Sequence, residues 1–341
     1  MKRNPIGSSL LLLLLVLIAP SLPTHFLDTA ERTGSFLDAF PQAVQEPAYT
    51  QQSPPPDQTA VIRVSSNLIA VPVSVTNGNG QPVTNLSIRD FTIEEDGKLQ
   101  SIAQLGEPGE TPVELALLFD ISGSTRPRFE FEQEAASKFL REVIRPSDTV
   151  SIFSIGSDPK LVQERTVDVN AAVQELRQVQ PTQGATAFYD TVVKAAQHVQ
   201  KTAAPGTRRV LIVVSDGEDN YSDPNGISDA LREIQRADCL FYSLNPSGPS
   251  IRLNKISLKG QEAMETLASQ SGGAAFLPDK LGELTAIFAR ITSELRAQYL
   301  LGYYASEQRR DGKFRRITVR IPNRPDLRVR ARQGYYSAAN S

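Results

Sequence analysis

From Val113 to Leu295 the sequence alternates short apolar runs with stretches of helical spacing, and this alternation limits the fold more than any other feature. Val113 to Phe119 is apolar except for Glu114, and Val210 to Val214 reads Val-Leu-Ile-Val-Val. Runs without a polar alternate belong to strands buried on both faces, as in a parallel sheet covered by helices. Thr149 to Ile155, Cys239 to Leu244 and Ala274 to Leu277 are the further predicted strands. Helices are predicted over Phe129 to Ile144, Ala171 to Val179, Phe188 to Val199, Ile227 to Arg236, Gln261 to Gln270 and Leu281 to Leu295. The pattern predicts an α/β domain over residues 111–295: a Rossmann-like, doubly wound sheet with helices on both faces.

Both flanks of this region change period. Ahead of it, Val61 to Val64 and Leu68 to Val75 are rich in β-branched residues, and Asn77-Gly78-Asn79-Gly80 signals a turn. Asp90 to Glu94 then alternates polar with apolar residues before a second turn at Asp96-Gly97. After it, Tyr299 to Tyr304, Phe314 to Ile321 and Leu327 to Arg332 read as strands, and Tyr335-Tyr336 is expected to close their sheet. Neither flank is long enough to bury a face alone. Residues 59–110 and 296–338 are therefore expected to join into one β-sandwich into which the α/β domain is inserted. Two separate β modules are the alternative.

Residues 1–23 read as a signal peptide or anchor. Lys2 and Arg3 precede the ten-residue apolar run Leu10 to Ala19, shorter than the ~20 residues of a spanning helix. Pro20 and Pro23 crowd the stretch where a small-x-small cleavage site would fall, so an uncleaved anchor stays an alternative. That segment is the one expected contact with a membrane, and the expected location is the periplasm, cell envelope or exterior. Residues 24–58 are polar, end in Gln-Gln-Ser-Pro-Pro-Pro a little before the first β pattern, and read as a disordered linker.

Composition narrows the chemistry. A net charge of -2 gives no general attraction to nucleic acid, and none is expected as a partner. The C-terminal segment from Leu301 carries ten Lys or Arg against Glu307, Asp311 and Asp326, a charge set expected to guard strand edges. The lone Cys239 sits in an apolar strand and reads as an inert core residue. The two histidines, His25 and His198, lie in the leader region and late in a predicted helix. No Ser-His-Asp arrangement can be assembled from them, and no phosphate-cradling glycine loop with its lysine is present. No catalytic residue is assigned.

Oxygen-bearing side chains concentrate at one predicted sheet edge. Asp120-Ile121-Ser122-Gly123-Ser124 follows the first buried strand, where ligands of open α/β sheets bind. Gly184-Ala185-Thr186 leads into the helix at Phe188, and Asp216-Gly217 follows the strand Val210 to Val214. Two carboxylates and three hydroxyls make an all-oxygen set suited to a small hard cation, Mg²⁺ first and Mn²⁺ behind it. Ca²⁺ ranks lower because it usually recruits more carboxylates and carbonyls. The set leaves a coordination position for an outside Asp or Glu carboxylate. Asp190, one turn after Thr186, is a candidate to orient the loop, whereas Glu218 and Asp219 read as solvated loop carboxylates with an outer-shell role as the alternative.

Asp120-Ile-Ser122-Gly-Ser124, Thr186 and Asp216-Gly217 resemble the D-x-S-x-S…T…D pattern of von Willebrand factor type A domains. The resemblance implies a metal-ion-dependent adhesion site in which Ser122 and Ser124 bind the ion directly. It implies that Asp120, Thr186 and Asp216 bind directly or through water. Asp90 to Gly97, Tyr299 to Tyr304 and Arg332-Gln-Gly-Tyr-Tyr336 extend the resemblance to a bacterial group of von Willebrand factor A-related domain proteins, over roughly residues 59 to 338. Thr125 departs from the pattern, since many A domains carry an apolar residue there. The implied function is metal-dependent binding of a protein partner through an acidic side chain, without enzymatic activity. An envelope scaffold with constitutive docking through the A domain is the alternative.

Overall fold

The computed structural model describes residues 68–248, 255–307 and 310–339. The predicted leader and linker, and the strand expected over Val61 to Val64, lie outside the described residues.

The N-terminal flank forms β1 (Leu68–Thr76), β2 (Thr92–Glu95), β3 (Lys98–Gln100) and β4 (Ile102–Gly106). The middle runs β5 (Val113–Asp120), α1 (Phe129–Val143), β6 (Thr149–Ile155), β7 (Lys160–Thr166), α2 (Val169–Gln178), α3 (Phe188–Thr202) and β8 (Arg208–Val214). It continues through α4 (Ile227–Arg236), β9 (Cys239–Leu244), α5 (Lys255–Ser271), β10 (Ala275–Phe276) and α6 (Leu284–Ala297). The C-terminal flank adds β11 (Tyr299–Tyr304), β12 (Phe314–Arg320), β13 (Arg328–Ala331) and β14 (Gly334–Tyr336).

The central sheet has the order β10-β9-β8-β5-β6-β7, parallel throughout except for β7. Successive side chains of a strand point to opposite faces, and β5 shows the consequence. Val113, Leu115, Leu117 and Phe119 enter one core with α1, α2 and α6. Ala116 and Leu118 enter the other with α3, α4 and α5. The chain moves from β5 to β6 on one side and then crosses to β8 on the other, so the topological switch falls between β5 and β8. In open α/β sheets a crevice opens at that point, outside the carboxyl ends of the two strands. The edge strand β7 was not expected from the sequence. Only Leu161 and Val162 of its seven residues are apolar, one packing on each core, and its charges suit an edge.

The flanks pair with each other. One sheet is ordered β13-β1-β11-β4 and the second β14-β12-β2-β3, so each mixes strands from both ends of the chain. β1 lies between β11 and β13, both of them from the far end. Val71, Val73, Ile93, Tyr299, Leu301, Tyr303 and Ile317 are buried together between the two sheets. The sandwich expected from two insufficient halves is therefore one body, and β14 closes its sheet against β12. Five arginines of the basic C-terminal segment are held in ion pairs: Arg315 with Asp311, Arg320 with Glu94, Arg324 with Asp326, Arg330 with Glu294 and Arg332 with Asp238. Their charge is largely spent within the fold.

Candidate metal centre

β5 ends in Asp120, whose side chain is fully buried. Its Oδ1 accepts the Ser122 backbone N–H at 2.8 Å, which turns the chain sharply after the strand. Its Oδ2 accepts the Ser215 hydroxyl at 2.5 Å, and Ser215 Oγ in turn accepts the Gly217 N–H at 3.0 Å. Ser215 thus couples the loop after β8 to the loop after β5. Thr125, the departure from the family pattern, is buried and donates to the Ser122 carbonyl at 2.9 Å. A hydroxyl here pins the Ser122–Ser124 turn from inside, a task an apolar side chain cannot perform.

The hydroxyls of Ser122 and Ser124 stand 3.1 Å apart. Two adjacent ligands on an octahedral ion at about 2.1 Å lie about 3 Å apart, so this pair has the spacing of one octahedral edge. Ser122 is buried and Ser124 exposed, which leaves the outer side open to a further ligand. Asp216 is 5% exposed and its Oδ1 accepts the Glu218 N–H at 3.1 Å. Thr186 is buried, and its backbone is bound by the next loop: Thr186 N–H donates to Asn220 Oδ1 at 2.8 Å, and its carbonyl accepts from Asn220 and Tyr221. Among the described residues no three His, Cys, Asp or Glu side chains converge on one point.

The outer residues differ from expectation in an instructive way. Asp219 is not simply solvated: its Oδ1 accepts the N–H groups of Phe188 and Tyr189 at 2.8 and 3.3 Å and the Ser222 hydroxyl. It caps α3 from a distant loop, meeting the orphan donors and positive end of that helix. Glu218 receives the Ser257 hydroxyl of α5, so it too has a partner. Asp190 accepts from Asp223 N–H at 3.0 Å and Asn225 Nδ2 at 2.7 Å. It orients the loop after Asp216 rather than the one carrying Thr186. His198 lies edge-on to Phe153, inside α3.

Ser215, Asn220 and Gly260 were not singled out by sequence reasoning. Gly260 lies mid-helix in α5, and an interior helical glycine is itself a signal of close approach. A Cβ on it would sit 2.6 Å from the Gly217 carbonyl, and Gly217 has φ +72°. Helix propensity favours alanine at Gly260 by about 1 kcal/mol. The clash is backbone on backbone, and overpacking of that kind costs about 1–3 kcal/mol. Because backbone cannot swing aside as a side chain can, the cost falls in the upper part of that range, and Gly260→Ala is expected to lose about 1–2 kcal/mol net in urea unfolding and to displace Asp216. A variant as stable as the parent would show that α5 yields freely.

Burial is the main reason that the Asp120 carboxyl is pushed up to about 6, and the nearby Asp216 charge acts in the same direction. Two carboxylates held close in a dry site, with hydrogen bonds too few to offset burial, form a cation-seeking arrangement. The donor chemistry fits a hard divalent ion.

A family model of the von Willebrand factor type A domain matches residues 115–218. Among solved structures, the chain is similar to the conserved hypothetical protein BatB of Bacteroides thetaiotaomicron, at 22% identity over 53% of this chain and 98% of that one, TM-score 0.41. It is similar at 21% identity to an aerotolerance-related membrane protein of Bacteroides fragilis NCTC 9343, over 54% of this chain and 98% of that one, TM-score 0.42. The pilus adhesin SpaC of Lactobacillus rhamnosus GG shares 12% identity over 64% of this chain and 34% of its own, TM-score 0.45. No curated protein matches the chain. Among the described residues no helix is long and apolar enough to cross a membrane.

Proposed function

We propose that this chain, which carries a von Willebrand factor type A domain, is an exported, non-enzymatic protein-interaction module that recognises an acidic side chain of its partner through a bound Mg²⁺. The observation that carries the reading is the Ser122–Ser124 hydroxyl pair at octahedral-edge spacing, set beside the buried Asp120 and Asp216. Ser122 and Ser124 would hold the ion directly, and Asp120, Thr186 and Asp216 directly or through water. Two carboxylates that act directly or through water, together with three neutral hydroxyls, leave a coordination position that one more anionic oxygen can fill. The chain's own contribution is to keep these oxygens fixed before the partner arrives. Mn²⁺ suits the same donors, and Ca²⁺ suits them less.

The test is partner capture by the full chain in Mg²⁺ and in EDTA, with Ser124→Ala alongside. A partner retained in Mg²⁺, released by EDTA and weakened at least tenfold by Ser124→Ala is the expected result. A partner that stays bound through chelation and ignores the substitution would instead indicate constitutive docking of a scaffold component.

A further inference from the structure

The structure assigns Glu132 of α1 to the metal centre as a charge-balancing residue: it offsets Arg128, so that the buried set can accept a divalent cation. This inference rests on the metal reading above and extends it to two residues outside the family's ligand pattern.

Glu132 is fully buried one turn inside α1, the helix that follows the Ser122–Ser124 turn after residues 125–128. A charged residue is almost never buried completely without a partner. Its Oε1 is paired with Arg128 Nε at 3.3 Å, and its Oε2 has no hydrogen-bond partner among the described residues. Arg128 reaches from that carboxylate to the Ser247 hydroxyl at 2.8 Å and toward the Ser124 carbonyl at 3.4 Å. A guanidinium therefore touches the backbone of the very loop that presents a metal-binding hydroxyl. Alone, it would repel a cation.

Charge counting shows what Glu132 does. Asp120, Asp216 and Arg128 sum to one negative charge, one short of a divalent ion. Glu132 restores the second. Without the ion, three carboxylates face one arginine. Burial, chiefly, then pushes the Glu132 carboxyl up to about 7, with the charges of Asp120 and Asp216 adding to the shift. The geometric link to the site is Arg128, which pairs with Glu132 and reaches the Ser124 carbonyl, whereas Glu132 does not join the aspartates in a three-carboxylate cluster. Its action is therefore electrostatic, by offsetting the Arg128 charge beside the Ser122–Ser124 turn, rather than by direct ligation.

A merely structural Glu132–Arg128 pair and a charge-balancing one make different predictions. Calorimetric titration of the full chain with Mn²⁺ is to be compared for the parent, Glu132→Gln, Arg128→Met and Ser122→Ala. Glu132→Gln should weaken Mn²⁺ about tenfold, the size typical of an outer-shell carboxylate. Arg128→Met should strengthen it severalfold, because a positive charge leaves. In EDTA, Glu132→Gln should melt no lower than the parent, since the amide keeps an oxygen for Arg128 while a buried charge with one unpartnered oxygen is gone. That melting measurement keeps the result readable if Arg128→Met folds poorly. Equal weakening by both substitutions, or unchanged Mn²⁺ affinity in Glu132→Gln, overturns the assignment while the metal reading stands. Parent protein that binds no Mn²⁺, or Ser122→Ala that binds it as well as the parent, removes the metal reading and this assignment with it.

Discussion

Asp120→Asn is expected to melt at or above the parent in EDTA at pH 7.5 and to gain nothing from Mg²⁺. The amide keeps the shape of the carboxylate. Its oxygen can still accept the Ser122 N–H, and its amino group can face the Ser215 hydroxyl, which has spare acceptor capacity. What leaves is a buried charge. The folded-state value of about 6 exceeds the ordinary 3.8, so between those values the folded chain holds a proton that the unfolded chain has released. Stability therefore falls as pH rises through that window and stays reduced above it. At 1.36 kcal/mol per unit the shift corresponds to roughly 3 kcal/mol for Asp120 in the absence of metal. The stability difference between variant and parent should thus grow from near zero at pH 4 to a few kcal/mol at pH 7.

Mg²⁺ should reverse the order. An ion bound only by the folded parent adds about 4.1 kcal/mol at a thousand times its dissociation constant, more than the burial penalty of Asp120. It also removes the pH dependence, because the carboxylate then faces a cation. Urea unfolding at pH 4, 5.5 and 7.5, with EDTA or Mg²⁺, measures both effects. If Mg²⁺ stabilises the variant as much as the parent, Asp120 is no part of the site. If the variant is several kcal/mol less stable in EDTA, its hydrogen bonds outweigh its burial and the linkage argument fails.

Arg208→Met should cost about 3 kcal/mol and loosen the α/β domain from the sandwich. Arg208 begins β8 and is 4% exposed. Its guanidinium donates to the Leu295 carbonyl at 2.7 Å, to Gln298 Oε1 at 3.1 Å and to the Thr111 carbonyl at 3.0 Å. Thr111 lies on the strand of chain entering the inserted domain, and Leu295 and Gln298 on the one leaving it. A single side chain therefore ties both crossings together. Gln298 extends the tie by donating to Ser74 Oγ of β1 at 3.0 Å. Arg145 supports the entering segment by donating to the carbonyls of Gly109 and Thr111.

The magnitude follows from two opposed terms. Leaving the buried acceptors of Leu295 and Gln298 without their donor costs about 1–3 kcal/mol each, and the part-buried Thr111 carbonyl adds less. Against that, burial disfavours the charged form, and pushes Arg208 down to about 10, so its removal returns part of the loss. The acceptors win. The expected calorimetric signature is a single transition in the parent that separates into two in the variant, one for the α/β domain and one for the sandwich. A variant that loses under 1 kcal/mol and still unfolds in one step would show that apolar contact alone holds the two parts.

Amino-acid order by itself determined the layers of this protein. Strand and helix periods are local, so β6, β9, α4 and β11 could be placed from neighbouring residues alone. The five proposed metal-binding positions were equally legible, because strand, turn and helix start are close in sequence and the motif needs only that context. Tertiary structure decided what depends on residues far apart in the chain. β1 finds its sheet partners more than two hundred residues away, in β11 and β13. Asp219 became a cap for α3 only because the loop after β8 folds back over that helix. Gly260 meets Gly217, and Arg128 meets Ser247, through packing that no local period encodes. Periodicity records which face of an element is dry, whereas hydrogen bonds and charges across elements depend on distances set only when the elements close together.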